Sequence, residues 1–328
     1  MRKIVAAGIL FLMVLSSVAQ QQKQKRIIFD SDMGPDYDDV GAITMLHAFA
    51  DSGYIKLLAT VASTKYEGVA GVFNVLNTYF NRPNMPIGIP KDGLELKDWQ
   101  HWTDTLLAKY PHRIKNNSEV PDATELYRKL LSGQPDKSIT IITVGFFTNL
   151  SNLLHSGPDK YSRLNGRQLV QKKVKELVSM AGRFPSGKEF NVEKDAAASR
   201  IVFSQWPTRI LLSGFEIGQK IKVGLPLIQN EKIHNSPVKD VFYISIPQAK
   251  EDSAGRMSWD ETAVLVAVKG YQPYYTLKEG TMIVEANGSN TWSDQGKAHA
   301  HLVEKIPIER VRNEIQKLIQ HQPIAKKK

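Results

Sequence analysis

Five aspartates fall within the ten residues Asp30-Ser31-Asp32-Met33-Gly34-Pro35-Asp36-Tyr37-Asp38-Asp39. So many carboxylates at that spacing repel one another unless a positive charge lies between them. A hard divalent cation is the simple answer, and an all-oxygen set rich in carboxylates suits calcium better than magnesium, which tolerates crowding poorly and keeps more of its water. Other readings fit less well. Capping a helix and a turn needs one or two aspartates, not five. An EF-hand loop has alternating ligands, ends in glutamate and follows a helix. The aspartate-nucleophile phosphotransferase signature, Asp-x-Asp-x-Thr/Val, fails at Gly34.

The cluster has to be held by a strand and a helix. Residues 26–30 form a short apolar run ending in a carboxylate, which predicts a buried strand. Side chains alternate along a strand, so Asp30 and Asp32 point the same way, at the carboxyl edge where open α/β sheets bind ligands. Val40, Ile43, Met45, Leu46 and Phe49 have helical spacing over 38–49. That helix carries Asp38 and Asp39 in its first turn, where free N–H groups and the dipole favour negative charge.

The same order recurs. Strands are predicted at 55–62, 85–89, 138–144, 174–180 and 208–212, and helices at 68–80, 122–131, 148–154 and 195–204. This alternation predicts one α/β domain with a doubly wound, mostly parallel sheet and helices on both faces. Two short antiparallel strands, 274–276 and 281–285, and a closing helix at 307–320 make a small C-terminal addition. Residues 94–117 are irregular, with Trp99, His101, Trp102, Tyr110 and His112 among charges. They read as a lid over the site or as a surface excursion with its own aromatic cluster.

The chain has 328 residues, 42% of them hydrophobic, enough for a substantial core. Met1-Arg2-Lys3, an apolar run from Ile4 to Leu15 and Ser17-Val18-Ala19 read as a signal peptide over 1–19, cut after Ala19. A linker at 20–25 then leads into a domain at 26–328, and the expected location is periplasmic or secreted. The apolar run is short for a membrane span, so no membrane attachment is expected after cleavage. There is no cysteine, which excludes disulfides, thiolate zinc sites and thiol nucleophiles. The net charge of +10 is partly gathered at Arg2-Lys3, Lys23-Gln24-Lys25-Arg26 and Lys326-Lys327-Lys328, with no nucleic-acid-binding motif, so no nucleic-acid partner is expected.

The aspartate cluster resembles the N-terminal signature of the inosine-uridine preferring nucleoside hydrolases, a strand followed by Asp-x-Asp-x-Gly-x-Asp-Asp and a helix. Asp30-Ser31-Asp32-Met33-Gly34 matches the first half and Asp38-Asp39 the second, with Pro35-Asp36-Tyr37 replacing one family residue. Three further segments follow in the family's order. Thr143-Val144-Gly145-Phe146-Phe147-Thr148-Asn149-Leu150 is similar to a strand-to-helix turn with a calcium-ligating main-chain carbonyl, here that of Val144. Met180-Ala181-Gly182-Arg183 with Glu189-Phe190-Asn191 resembles the ribose-binding segment, although Arg183 stands where many members have asparagine. Ser258-Trp259-Asp260-Glu261-Thr262-Ala263 resembles the segment carrying the last calcium-ligating aspartate, Asp260. Trp259 occupies a position often held by histidine.

The resemblance implies calcium-dependent hydrolysis of the N-glycosidic bond of ribonucleosides. Calcium would be held by Asp32, Asp39, the Val144 carbonyl and Asp260, with Asp32 as general base. Asp38, Glu189 and Asn191 would meet the ribose, with Arg183 and Trp259 also on the substrate. Asp30 is placed behind the ligands, and Asp36 has no family role. His101 and His112 are candidate proton donors to the leaving base if 94–117 folds over the site. The small-molecule nucleoside is the expected partner, and a homo-oligomer is allowed. Two alternatives stay open: a non-catalytic calcium-dependent binder of ribosyl ligands, and a hydrolase of another ribosyl conjugate.

Overall fold

The structure is a computed structural model that describes residues 24–325. The expected leader and most of the expected linker lie outside the described residues, and the first strand already includes Lys25. In chain order the elements are β1 (Lys25–Ser31), α1 (Asp38–Asp51), β2 (Ile55–Ala62), α2 (Val69–Tyr79), β3 (Ile87–Gly88), α3 (Trp102–Lys109), α4 (Ala123–Ser132) and β4 (Ile139–Thr143). They continue with α5 (Thr148–His155), α6 (Gly166–Lys173), β5 (Val174–Met180), β6 (Ser186–Lys188), α7 (Phe190–Lys194), α8 (Ala196–Gln205), β7 (Arg209–Ser213) and α9 (Phe215–Gly218). The last are β8 (Lys222–Val223), α10 (Leu225–Gln229), α11 (Pro237–Ser245), β9 (Arg256–Met257), α12 (Trp259–Lys269), β10 (Tyr275–Val284), β11 (Ser289–Ser293), β12 (His299–Glu304) and α13 (Ile308–Leu318).

The sheet runs β3-β2-β1-β4-β5-β7-β12-β10-β11-β6. From β3 to β12 every pairing is parallel, and β10, β11 and β6 extend it antiparallel. The expected doubly wound sheet with an antiparallel addition is therefore present. Strand β1 explains why both faces are covered. Ile27 and Phe29 join a core with α1, α2, α11, α12 and α13, while Ile28 joins one with α4, α5, α6 and α8. An apolar residue at every position suits a strand buried on both sides.

Three expectations change. The two short strands at 274–276 and 281–285 are one strand, β10, whose first half pairs with β12 and second half with β11. Lys278 and Glu279 interrupt the apolar pattern because they reach solvent, where they pair with Asp294 and Arg209. The 85–89 strand shrinks to Ile87–Gly88 at the sheet edge. Residues 94–117 contain α3, which buries Trp102 and Leu106 against α2 and α11. Among the described residues no helix is long and apolar enough to cross a membrane.

Candidate functional site

The chain leaves β1 towards β2 on one side and returns to β4 on the other, so the strand order reverses at β1. Such a switch point opens a crevice beyond the carboxyl ends of the strands. A cleft of about 280 Å³ lies there. Asp32, Pro35, Asp36 and Asp38 line it from the β1–α1 connection, Val144 from the end of β4, and Met180 from the end of β5. Glu189, Phe190 and Asn191 come from the start of α7, Phe215 from the turn after β7, and Arg256, Trp259 and Asp260 from the β9–α12 segment. Trp99 is the one lining residue from the irregular stretch, and it is 61% exposed.

Close backbone approach fixes Asp32. A Cβ on Gly145 would run into the backbone nitrogen of Asp32 and the hydroxyl of Ser63. The β4 turn can thus bring the neighbouring Val144 against the aspartate loop only because residue 145 has no side chain. Asn191 donates from Nδ2 to the Val144 carbonyl at 2.8 Å. Glu189 caps α7, accepting from the N–H groups of Asn191 and Val192, and also from Gly182. Burial pushes its carboxyl up to about 7 against those bonds.

Asp30 stands apart from the cleft. Its carboxylate accepts from Tyr127 Oη at 2.8 Å and Asn149 Nδ2 at 3.1 Å, and Asn149 also ties to the Ala62 carbonyl. It therefore joins β1 to α4 and α5. Burial raises it to about 7, with those two hydrogen bonds opposing.

The inserted Pro35-Asp36-Tyr37 builds a feature that local sequence pattern does not reveal. Tyr37 is buried, donates to Asp252 at 2.6 Å and meets Phe242 edge-on. With Tyr37 anchored inward, Asp36 turns to the cleft, where Arg256 Nη2 reaches it at 2.9 Å. Arg256 also donates to Asp38 Oδ1 from Nε at 3.0 Å and from Nη2 at 2.6 Å. Its guanidinium carbon lies 4.8 Å from the Tyr37 ring centre and 5.1 Å from that of Trp259, a buried cation with aromatic neighbours. The other Asp38 oxygen accepts from the N–H groups of Trp259 and Asp260 at the start of α12. An anion at a helix N-terminus is favoured by the free amides and the dipole. Asp38 thus couples the start of α1 to the start of α12.

One guanidinium does not balance this cluster. Asp36, Asp38 and Asp260 each offer an oxygen within 4.8 Å of the others. Asp32 and Asp39 lie close enough to add to the charge felt by Asp260. Burial, and then the neighbouring carboxylates, hold Asp32, Asp39 and Asp260 well above the usual range. Burial also takes Asp38 to about 7, opposed by Arg256. Asp39 is fully buried. One oxygen accepts from Ser31 Oγ at 2.5 Å and the other has no partner among the described residues. A buried orphan acceptor beside crowded carboxylates fits a hard cation held by oxygen donors. The aspartate cluster can therefore hold a metal ion.

The remaining expected residues sort by position. Arg183 is exposed and stacks over Phe215 at 4.2 Å, beside the lining. Trp259 lines the cleft, but its indole N–H donates to the Phe215 carbonyl at 2.8 Å, leaving no donor for a ligand. His101 points to solvent against Asp104, and His112 bonds Tyr110 and Lys115; neither lines the cleft. Sequence reading missed Arg256 and Glu261. Glu261 is wholly buried with both carboxylate oxygens unpartnered among the described residues, packed where a Cβ on Gly41 would collide with it.

The family profile described as inosine-uridine preferring nucleoside hydrolase matches residues 27–313. An inosine-uridine preferring nucleoside hydrolase of Crithidia fasciculata is 23% identical over 262 residues, covering 74% of this chain and 79% of that protein. One of Leishmania major is 23% identical over 286 residues, covering 81% and 85%. The fold matches that of a purine-preferring ribonucleoside hydrolase from Gardnerella vaginalis with a TM-score of 0.69 at 16% identity, over 90% of this chain and 98% of the other. Because the profile runs from β1 to α13, taking in every segment that lines the cleft, this chain belongs to the inosine-uridine preferring nucleoside hydrolase family and is a hydrolase of N-glycosyl bonds.

Proposed function

We propose that the protein hydrolyses the N-glycosidic bond of ribonucleosides to free base and ribose, and that it does so with calcium. The observation that carries this reading is the meeting of Asp32, Asn191, the Val144 segment and Asp260 around one cleft from distant parts of the chain. Asp32, Asp39, Asp260 and the Val144 carbonyl would hold the ion, which would satisfy the unpartnered carboxylate oxygen of Asp39. When bound, calcium lowers the pKa of a nearby water and fixes its direction.

Asp32 takes the proton of the water that attacks the anomeric carbon. Asn191 and the Asp36–Asp38 pair receive the ribose hydroxyls, with Glu189 nearer the 5′ end and Arg183 at the rim. Asp38 itself already accepts from Arg256 and from two amides, so Asp36 supplies the open acceptor of that pair. The surrounding negative charge stabilises the cationic sugar of an oxocarbenium-like transition state. Trp259 supplies a ring wall for the base.

A calcium-dependent binding protein without turnover is the second reading, favoured by the occupied indole N–H of Trp259. One assay separates them: incubate the mature protein with a nucleoside panel, with and without chelator, and measure base and reducing sugar. Chelator-sensitive release is expected, and Asp32→Ala should lower it by about a thousandfold or more while the fold persists. Ribose binding with no release from any nucleoside overturns hydrolysis. We also read the protein as exported; N-terminal sequencing of the periplasmic or medium fraction should begin after Ala19.

A further inference from the structure

The insertion Pro35-Asp36-Tyr37 places in the cleft a carboxylate that the family signature lacks. Asp36 matches none of the proposed ligands Asp32, Asp39, Asp260 and the Val144 carbonyl. Its backbone is nonetheless held on both sides. A Cβ on Gly34 would strike the Tyr66 ring, and Tyr66 donates to the Met33 carbonyl at 3.0 Å. Tyr37 is buried and tied to Asp252. Asp36 therefore cannot leave the cleft unless Tyr37 leaves the core.

Asp36, Asp38 and Asp260 each offer an oxygen within 4.8 Å of the others. Asp38 is already filled: Arg256 donates twice to Oδ1, and the amides of Trp259 and Asp260 donate to Oδ2. Asp36 meets Arg256 through Oδ2, and Asp260 faces the cleft. These two are the members of the trio left to share a cation. Oxygens on one calcium lie about 2.3–2.6 Å from it and so stand at most about 5 Å apart, a span that the pair satisfies. Asp36 also lies within hydrogen-bonding reach of the carboxyls of Asp38 and Asp39.

A separate observation points to the ion. Asp39 is fully buried, and its Oδ2 has no partner among the described residues. The carboxylates crowded around it have no hydrogen to donate when ionised, and Arg256 is taken up by Asp36, Asp38 and Asp252. A cation shared between Asp39 and Asp36 removes both the orphan acceptor and the repulsion.

We propose that Asp36 is a further ligand of the cation, joining Asp32, Asp39, Asp260 and the Val144 carbonyl while it stays paired with Arg256. This rests on the calcium reading of the same cluster. A carboxylate has about four lone-pair sites, so ligation leaves Asp36 able to accept from a ribose hydroxyl as well. The added charge makes the site bind calcium more tightly than the four other ligands alone would, because ligand charge count sets calcium affinity.

The test uses the full mature protein without nucleoside and two probes, calcium and terbium(III). Terbium is a hard, oxygen-seeking ion whose luminescence lifetimes in H2O and D2O count the waters bound to it. The Asp36 side chain is 39% exposed, so Asp36→Ala removes a carboxylate without opening the core. Calorimetry should show its calcium dissociation constant raised by about tenfold or more, and terbium should gain about one bound water. Asp36→Ser, which keeps the loop polar, should show the same gain. An unchanged water count in both variants overturns the proposal even if affinity falls, since a nearby charge that is not a ligand weakens binding without opening the shell. Failure of the wild type to bind either ion overturns the calcium reading itself, and this inference with it.

Discussion

Arg128 and Arg256 are both buried and both bonded to aspartate, yet they sit in opposite electrostatic situations. Arg128 donates to both oxygens of Asp159, to Ser156 Oγ, and to the carbonyls of Ser162 and Leu164. One cation meets one anion, and neutral acceptors fill the remaining directions, so the 156–164 loop is stapled to α4. Arg256 faces three carboxylates, with more close behind. Its surroundings stay negative after pairing. Balanced charge makes a staple, and unbalanced charge makes a site that still wants a ligand.

The sharpest way to break this comparison is to remove each guanidinium. Arg128→Met should cost about 3–5 kcal/mol of folding free energy, since Asp159 and the two carbonyls lose their partner. Denaturant titration should show that loss unchanged by calcium, with activity per folded molecule retained. Arg256→Met should lose a comparable amount in chelator and recover part of it in calcium. If both variants respond to calcium alike, the distinction between staple and site is wrong.

A smaller effect is expected for the wild type. Calcium at about a hundred times its dissociation constant should raise the unfolding free energy by about 2.7 kcal/mol, and chelator should remove the gain. Absence of any shift would mean that the orphan oxygen of Asp39 is satisfied in some other way.

The smallest effect concerns His47, distant from the cluster on α1. It is buried, bonded to Asn77 at 3.1 Å and stacked on Phe80. Burial, with Arg82 beside it, holds its pKa down at about 3, against an ordinary 6.5. The folded state therefore prefers neutral His47. Its contribution is full above pH 6.5 and is lost as pH falls from there towards 3. Between pH 6.5 and 5.5 the loss is on the order of 1 kcal/mol. His47→Gln should flatten the stability profile in that window relative to wild type, and an identical slope would rule His47 out.

Much of the fold was legible because β1 carries Ile27, Ile28 and Phe29 in succession, and a strand buried on both faces announces a covered parallel sheet. Helix α1 was equally clear from its spacing and from the acidic first turn. The antiparallel extension was harder, since β10 carries charged residues midway and reads as two fragments. Asp32, Asn191 and Asp260 were visible through their motifs. Arg256 was not, because one arginine in a two-residue strand carries no local pattern. Its presence follows only from asking what could accompany so many carboxylates. Glu261 stands in the Asp260 motif with no role attached to it, and its burial depends on the glycine facing it from α1.

That glycine has a consequence for how the protein comes into being. Gly41 lets α1 lie against α12, and Asp38 accepts the amide of Asp260 across 222 positions of sequence. Asp32, Asp36, Asp38 and Asp39 are synthesised near the start of the chain and Asp260 in its last quarter. A nascent chain that has completed α1 holds its aspartates together with neither Arg256 nor Asp260 to organise them. Every fragment ending before α12 therefore lacks Asp260 and one wall of the acidic cleft, whatever else in it has folded.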